Sequence, residues 1–256
     1  MTNFYIVTNE LKDKDFEVTA QIRDYLERFG KSVCDEPSYA DCVLVLGGDG
    51  TLLRAAGELA HLNIPFLGIN LGSLGFLAEV DRDHIESALD KIINGEYIIE
   101  KRMMLDGGGN SALNDVVIIG HNSMQLIYFD LYVNGLKLTN YVADGMVVST
   151  PTGSTGYNLS AGGPIIEPRA DIILLTPLCA HSMRSRSIIL SSDDEVVIDI
   201  TKGKNDEEQV VDAVFDGHKR VFMKTGDRIK ITKSEKSTSI IKISELNFFE
   251  ILKQKL

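Results

Sequence analysis

The feature that most constrains this chain is a change of hydrophobic period partway along it. Across the first hundred residues, short apolar runs alternate with segments whose apolar residues recur at helical spacing. Phe4 to Val7 is an apolar run ending at a polar turn; Val18, Ile22, Tyr25, Leu26 and Phe29 then fall at helical spacing before Gly30. Cys42 to Leu46 is continuously apolar and ends in Gly47-Gly48, the texture of a strand buried on both faces of a parallel sheet. Thr51 to Leu62 predicts a helix rich in Leu and Ala, and Pro65 to Ile69 another strand. Asp83 to Glu86 reads as a capping box for a helix presenting Ile85, Ala88, Leu89 and Ile92 and stopping at Gly95. Strand and helix in alternation predict an open, mostly parallel α/β sheet with right-handed crossovers.

From about residue 113 the runs become short and β-rich: Leu113 to Ile119, Gln125 to Val133, Tyr141 to Thr150, Ile172 to Leu175, Val196 to Thr201, Gln209 to Phe215 and Ile229 to Thr232. Asn134-Gly135 sits between Leu-Tyr-Val and Leu-Lys-Leu, the strongest short-range hairpin signal, and Asp216-Gly217 repeats it. The second half is therefore predicted to be an all-β, antiparallel domain. The boundary falls at residues 99 and 100, and the second domain runs to 245. Leu246 to Leu256 fits a helix or a strand, and Asp106 to Asn110, with its three glycines, reads as a flexible surface loop.

Charge narrows the partners. Lys and Arg total 26 against 37 Asp and Glu, a formal net charge of −11. Non-specific binding to nucleic acid or to an anionic membrane needs clustered Lys and Arg, so neither is expected. No apolar run approaches the ~18 residues needed to span a bilayer. The start shows no basic, then apolar, leader. Cys34, Cys42 and Cys179 are odd in number and widely spaced, as free thiols in a reducing cytoplasm are, and the five histidines form no metal-binding pair.

Three segments carry chemistry. Gly47-Gly48-Asp49-Gly50-Thr51 follows a buried strand and opens a helix, where bare backbone and helix N–H groups suit phosphate. An acidic residue inside such a turn repels phosphate unless it holds Mg²⁺ or takes a proton from an attacking hydroxyl; the plainer alternative is a helix cap. The spacing is neither a Rossmann fingerprint nor a P-loop. Asn114-Asp115 interrupts the start of an apolar strand, either as an ordinary turn or as an amide and a carboxylate aimed at a heterocycle and its sugar. The third and densest runs from Ala143 to Pro164. Its Ser and Thr hydroxyls and Gly153 crowd a turn between a strand and a short helix, and Tyr157 offers a ring to an aromatic base.

The order GGDGT, ALND and DGMVVSTPTGSTGYNLSAGGP resembles the NAD kinase family. Gly72 to Leu77, Thr176 to Ser182 and Phe215-Asp216-Gly217 fall where that family has its further motifs, so the resemblance spans roughly residues 42 to 217. It implies an N-terminal α/β domain, completed by the last segment 246–256, and a sandwich-like C-terminal β domain. It implies transfer of the γ-phosphoryl of ATP, or of polyphosphate, to the adenosine ribose 2′-hydroxyl of NAD, with Mg²⁺ or another divalent cation arriving with ATP rather than in a protein cage. It implies a homo-oligomer, with a tetramer favoured, and the cysteines place it in the cytoplasm. Asp49 matches the proton acceptor. Gly47, Gly48, Gly50, Thr51 and Arg54 match the donor's phosphate and nucleotide positions. Asn114, Asp115, Asp144, Thr152, Thr155, Gly156, Tyr157, Ser160 and His218 match the NAD positions. His181 is a tempting acid or base that also fits a structural histidine.

The chain departs from the family at four points: Asp115 stands for the usual Glu, Gly156 for Ala, and His218 for Gln or Arg, and Leu105 to Ala112 is short. The rivals are a diacylglycerol-type lipid kinase, which shares GGDG but needs an apolar trough, and a dinucleotide-binding regulator, which would not need Asp49.

Overall fold

The computed structural model describes residues 1–72, 75–122, 126–180, 186–243 and 248–255. They form two compact units: Met1–Arg102 with Lys236–Leu256, and Met103–Glu235.

The first unit is built from β1 (Asn3–Thr8), α1 (Glu17–Arg28), β2 (Ser32–Val33), β3 (Cys42–Gly47), α2 (Asp49–Leu59), β4 (Phe66–Asn70), β5 (Val80–Asp81) and α3 (Ile85–Asn94). Its strands pair in parallel in the order β2-β1-β3-β4-β5. Every residue of β3 is buried, as its unbroken apolar run requires. Alternation sends Cys42, Leu44 and Leu46 to the face covered by Ile22 and Leu26 of α1 and Leu89 and Ile92 of α3. α2 buries Leu52, Ala55 and Ala56 and packs over β4, where a Cβ at Gly68 would come within 3.1 Å of Leu52 Cδ1. The expected capping box does not form. A 3₁₀ turn, Arg82–His84, leads into α3, and His84 stands at the N-cap with no side-chain cap bond. Gly95 closes α3 in the left-handed conformation, at φ 78°.

The second unit opens on β6 (Ile98–Gly107), which leaves the first unit partway along. β7 (Asn110–Ala112), β8 (Asp115–Gly120), β9 (Ile127–Val133), β10 (Leu136–Ala143), β11 (Gly145–Ser149) and the short α4 (Tyr157–Ser160) follow. Then come β12 (Ile172–Leu178), β13 (Ile188–Ser191), β14 (Val196–Ile200), β15 (Val210–Phe215), β16 (Lys219–Lys224) and β17 (Arg228–Lys242). One antiparallel sheet has the order β13-β12-β11-β8-β15-β16, and β10-β9-β14-β17 form the facing layer. Val116, Ile118, Met146, Val148 and Phe215 from the first layer interdigitate with Phe129, Leu131, Ile198 and Ile231 from the second. The architecture is the expected α/β unit and β-sandwich.

Three further details differ from the sequence reading. Asp106 to Asn110 is no loose loop: Gly107 pairs with Asn110, and Gly108 and Gly109 (φ 53° and 77°) make the tight turn that only such residues favour. The run Tyr141 to Thr150 is two strands, broken at Asp144. Ile229 to Thr232 belongs to a strand of 15 residues, whose far end pairs in parallel with β4 at Ile240 and Phe66. The chain ends in α5 (Phe248–Lys255); positions 246, 247 and 256 of the expected last segment lie outside the described residues.

Candidate functional site

In the first unit, β3 delivers the glycine turn to the start of α2. Gly48 is the helix N-cap in an extended conformation, and no side chain caps the helix. Asp49 is the first helical residue, yet its carboxylate turns away from the helix. It accepts the Phe76 N–H at 2.8 Å and the Leu77 N–H at 3.2 Å. A Cβ at Gly75 would collide with that carboxylate, so Gly75 is glycine to let Asp49 in. The simple helix-cap alternative is therefore not what the structure contains. The turn's glycines differ in what they face. A Cβ at Gly47 would strike the buried Thr51 side chain, whereas Gly50 has nothing within 4 Å and Gly48 meets only Lys12 Nζ, at 3.5 Å. Arg54 lies exposed one turn further along α2.

In the second unit, the start of β8, the end of β11 and the end of β15 meet at one end of the central strands of the six-stranded sheet, because Asp115 pairs with Ser149 and Val116 with Phe215. Asp216 gathers the turn. Its carboxylate accepts the N–H groups of Leu113 (2.8 Å), Asn114 (2.7 Å) and Asp115 (3.2 Å), and its own N–H donates to Asp115 O at 3.0 Å. The third segment docks on the same turn. Thr150 N–H and Ser149 Oγ donate to Asn114 O (2.9 and 3.1 Å), and Thr150 Oγ1 donates to Leu113 O at 2.6 Å. A Cβ at Gly153 would collide with Asn114 O, and one at Gly156 would stand 3.1 Å from Asn114 Nδ2. Gly156, in place of the family's alanine, thus borders the Asn114 amide directly.

Two features mark this turn as prepared for a ligand. Asn114 Oδ1 is buried with no hydrogen-bond partner. Asp115 is only 5% exposed, and its carboxyl is pushed up to about 7, first by burial and then by the neighbouring Asp216. Burial also raises Asp216, against the pull of its three N–H donors. His218 is exposed and turns its Nδ1 to Asp216 O at 3.2 Å.

Asp144, Tyr157 and Ser160 line a cavity of about 470 Å³ that Cys179, His121 and Arg220 also line. The cavity runs from Asp144 and Ile119 at the start of β11 to Tyr157, which directly follows Gly156 beside the Asn114 amide. Tyr157 is 47% exposed, its ring open to a partner. Thr152 is buried beneath the turn, and Thr155 Oγ1 donates to Thr152 O at 3.4 Å. Asn158 was not singled out by sequence. It is fully buried, donates to Ser154 O (3.1 Å) and Pro164 O (3.0 Å), and accepts Thr176 Oγ1 at 2.7 Å. An Asn among serines and glycines gave no sign of this knot. His181 and Ser182 lie outside the described residues, as do Ser73 and Leu74 of the Gly72 to Leu77 motif. Among the described residues no three His, Cys, Asp or Glu gather as metal ligands.

The sequence profile of the ATP-NAD kinase N-terminal domain matches residues 5–97, and that of the ATP-NAD kinase C-terminal domain matches residues 113–243. The NAD kinase of Lachnospira eligens is 42% identical over 295 aligned positions that take in all of both chains. That of Agathobacter rectalis is 40% identical over 279 positions, covering 100% of this chain and 99% of the relative. Among solved structures, an NAD kinase from Archaeoglobus fulgidus in complex with ATP superposes with a TM-score of 0.84 at 26% identity, over 99% of this chain and 98% of that one. Yeast NADH kinase complexed with NADH shares the fold, with a TM-score of 0.85 at 24% identity over 96% of this chain and 84% of that one.

Proposed function

The chain belongs to the NAD kinase family and phosphorylates NAD to NADP, and on that premise we propose how its residues divide the work. The donor is ATP, whose phosphates approach the bare backbone of Gly48 and Gly50 at the N-terminus of α2, with Gly47, Thr51 and Arg54 shaping that turn. The unit of residues 1–102 with 236–256 serves the donor, and the unit of residues 103–235 serves NAD. Asp49 accepts the proton of the adenosine 2′-hydroxyl as that oxygen forms its bond to the γ-phosphorus; the bond to the bridging oxygen breaks, and ADP leaves.

On the acceptor side, Asn114 offers its unpaired Oδ1 to an amino group of the adenine, and Asp115 accepts from ribose hydroxyls. Thr152, Thr155, Gly156 and His218 border the same turn. Asp144, Tyr157 and Ser160 line the adjoining cavity and take the rest of the dinucleotide. Asp49 is the carboxylate at the glycine turn that could touch a divalent cation brought by ATP, which would supply charge neutralisation at the phosphates. A lone carboxylate at the glycine turn suits a cation that brings most of its oxygens with it. The protein works in the cytoplasm as a homo-oligomer, with a tetramer favoured. Among the described residues no helix is long and apolar enough to cross a membrane.

The observation that carries the residue assignment is the Asn114-Asp115 turn, clamped by Asp216, with a buried acceptor atom left unpaired. The decisive test offers the purified protein ATP, Mg²⁺ and NAD, and then NAD lacking the adenosine 2′-hydroxyl. NAD should yield NADP, while the analogue should compete with NAD and receive no phosphate. Phosphorylation of the analogue would overturn the 2′-hydroxyl assignment. Turnover of diacylglycerol with NAD ignored would put the lipid kinase in its place.

A further inference from the structure

We propose that Lys12 is a donor-binding residue that brings a positive charge to the phosphates at the glycine turn. This rests on the donor's phosphates lying at Gly48 to Gly50, and it adds a residue that the turn's own motif does not contain. Lys12 stands in the loop after β1. Its ammonium lies 2.8 Å from where a Cβ on Gly72 would sit and 3.5 Å from where one on Gly48 would sit. Both positions are glycine, and any side chain at Gly72 would push the ammonium aside.

The loop is built to hold that position. Asn9 N–H donates to Leu46 O at 2.8 Å, tying the loop to the residue before Gly47. Asn9 O accepts the N–H groups of Lys12 and Asp13, both at 2.9 Å, and Asn9 Oδ1 accepts that of Leu11 at 3.1 Å. The next residue, Asp13, is buried and takes the Val18 N–H at 2.9 Å and Thr8 Oγ1 at 3.0 Å. On the other side, the Asn70 side chain brackets Gly72, accepting its N–H at 3.0 Å and donating to its carbonyl at 2.8 Å. Both backbone segments facing Lys12 are therefore fixed.

Positive charge gathers at this turn. The start of a helix carries a partial positive charge, and a lysine beside it adds a full one. Asp49, the acidic residue of the first turn, spends its carboxylate on the Phe76 and Leu77 N–H groups. Among the described residues Lys12 has no ion pair and no side-chain hydrogen bond, although this chain has eleven more acidic than basic residues. A phosphate at the glycine turn would meet the helix N–H groups and this ammonium together. Lysine, a compact charge on a flexible stem, suits that task.

The test compares Lys12→Met, Lys12→Arg, Gly72→Ala and Gly48→Val in steady state, with ATP and NAD varied separately. Lys12→Met should raise KM for ATP by about ten-fold or more, the effect of losing one charge-assisted hydrogen bond, and leave KM for NAD within two-fold. It should weaken competitive inhibition by inorganic tripolyphosphate by a similar factor, because the lost contact is to phosphate. Lys12→Arg should recover most of the loss, and Gly72→Ala should mimic it in part by displacing the ammonium. If Gly48→Val raises KM for ATP while Lys12→Met does not, the donor site stands and the role of Lys12 falls. If neither changes it, the placement of the donor falls as well. The side chain is exposed, so an unchanged unfolding temperature will show that Lys12→Met is folded.

Discussion

Asp115 is a carboxyl group held where water scarcely reaches and beside a second carboxylate, which fixes how it must respond to pH. Its folded pKa, about 7, stands above the ~3.9 of an unfolded chain. The neutral form is thus favoured by folding: its contribution to stability is complete below about pH 4 and is lost as pH rises through about 7. Asp115→Asn should remove that loss, so the variant's melting temperature should exceed that of the parent at pH 8 and approach it at pH 4. Melting curves that keep a constant offset across this range would refute the assignment. Ribose hydroxyls donate to the ionised form, so NAD affinity in the parent should rise from pH 6 to 8, and that rise should vanish in the variant. At Asp49 the expectation concerns rate. Asn keeps the shape and can still accept one of the two N–H groups, but it cannot take a proton. Asp49→Asn should fold, bind NAD and lose roughly 10²–10⁴ in kcat; a variant within a few-fold of the parent would remove Asp49 as the base.

Elements show what the residues rest on. α4 and the turn before it depend on Asn158, whose amide spans Ser154 O and Pro164 O and whose oxygen takes Thr176 Oγ1. Asn158→Ala takes the donor from Ser154 O and Pro164 O and one of two acceptors from Thr176 Oγ1, and should cost about 2–3 kcal/mol. Asn158→Asp should be worse, since it turns an anion toward two carbonyls; denaturant titration of both will rank them. α5 bears on the glycine turn indirectly, because Phe248 and Lys255 pack on the ring of Phe76, whose backbone N–H holds Asp49. Ending the chain after Ile243 should therefore lower kcat more than it raises KM for NAD. At this scale the sequence is legible where local chemistry decides. Asn134-Gly135 makes its predicted hairpin, with φ 50° and 77°, and the unbroken run at Cys42 makes its buried strand. It is illegible where partners are far apart in the chain. Nothing near Gly75 announces that Asp49 needs the space, nothing near Asp216 announces three N–H groups 101 to 103 residues away, and no local signal marks Lys12 as a neighbour of Gly48 and Gly72.

For the whole molecule, two binding sites that favour the native state should make stability depend on ligands. NAD at a hundred times its Kd should add about 2.7 kcal/mol, and a near-additive further gain with non-hydrolysable ATP would show that both bind the folded chain at once. Fold class was readable at this scale because a change of hydrophobic period survives any error in element boundaries. The path of the chain was not. The first unit gives up the chain within β6 and receives it back only within β17, whose last turn of pairing sets Ile240 beside Phe66. A ribosome making this protein therefore releases β4 with one neighbour still unwritten. About 170 residues lie between the end of β4 and Ile240, which at the usual pace of synthesis is on the order of ten seconds. During that wait the later unit can assemble from its own contiguous stretch, while the earlier one offers an unfinished edge to whatever chaperone attends the exit tunnel. The half that is translated first is the half that finishes last.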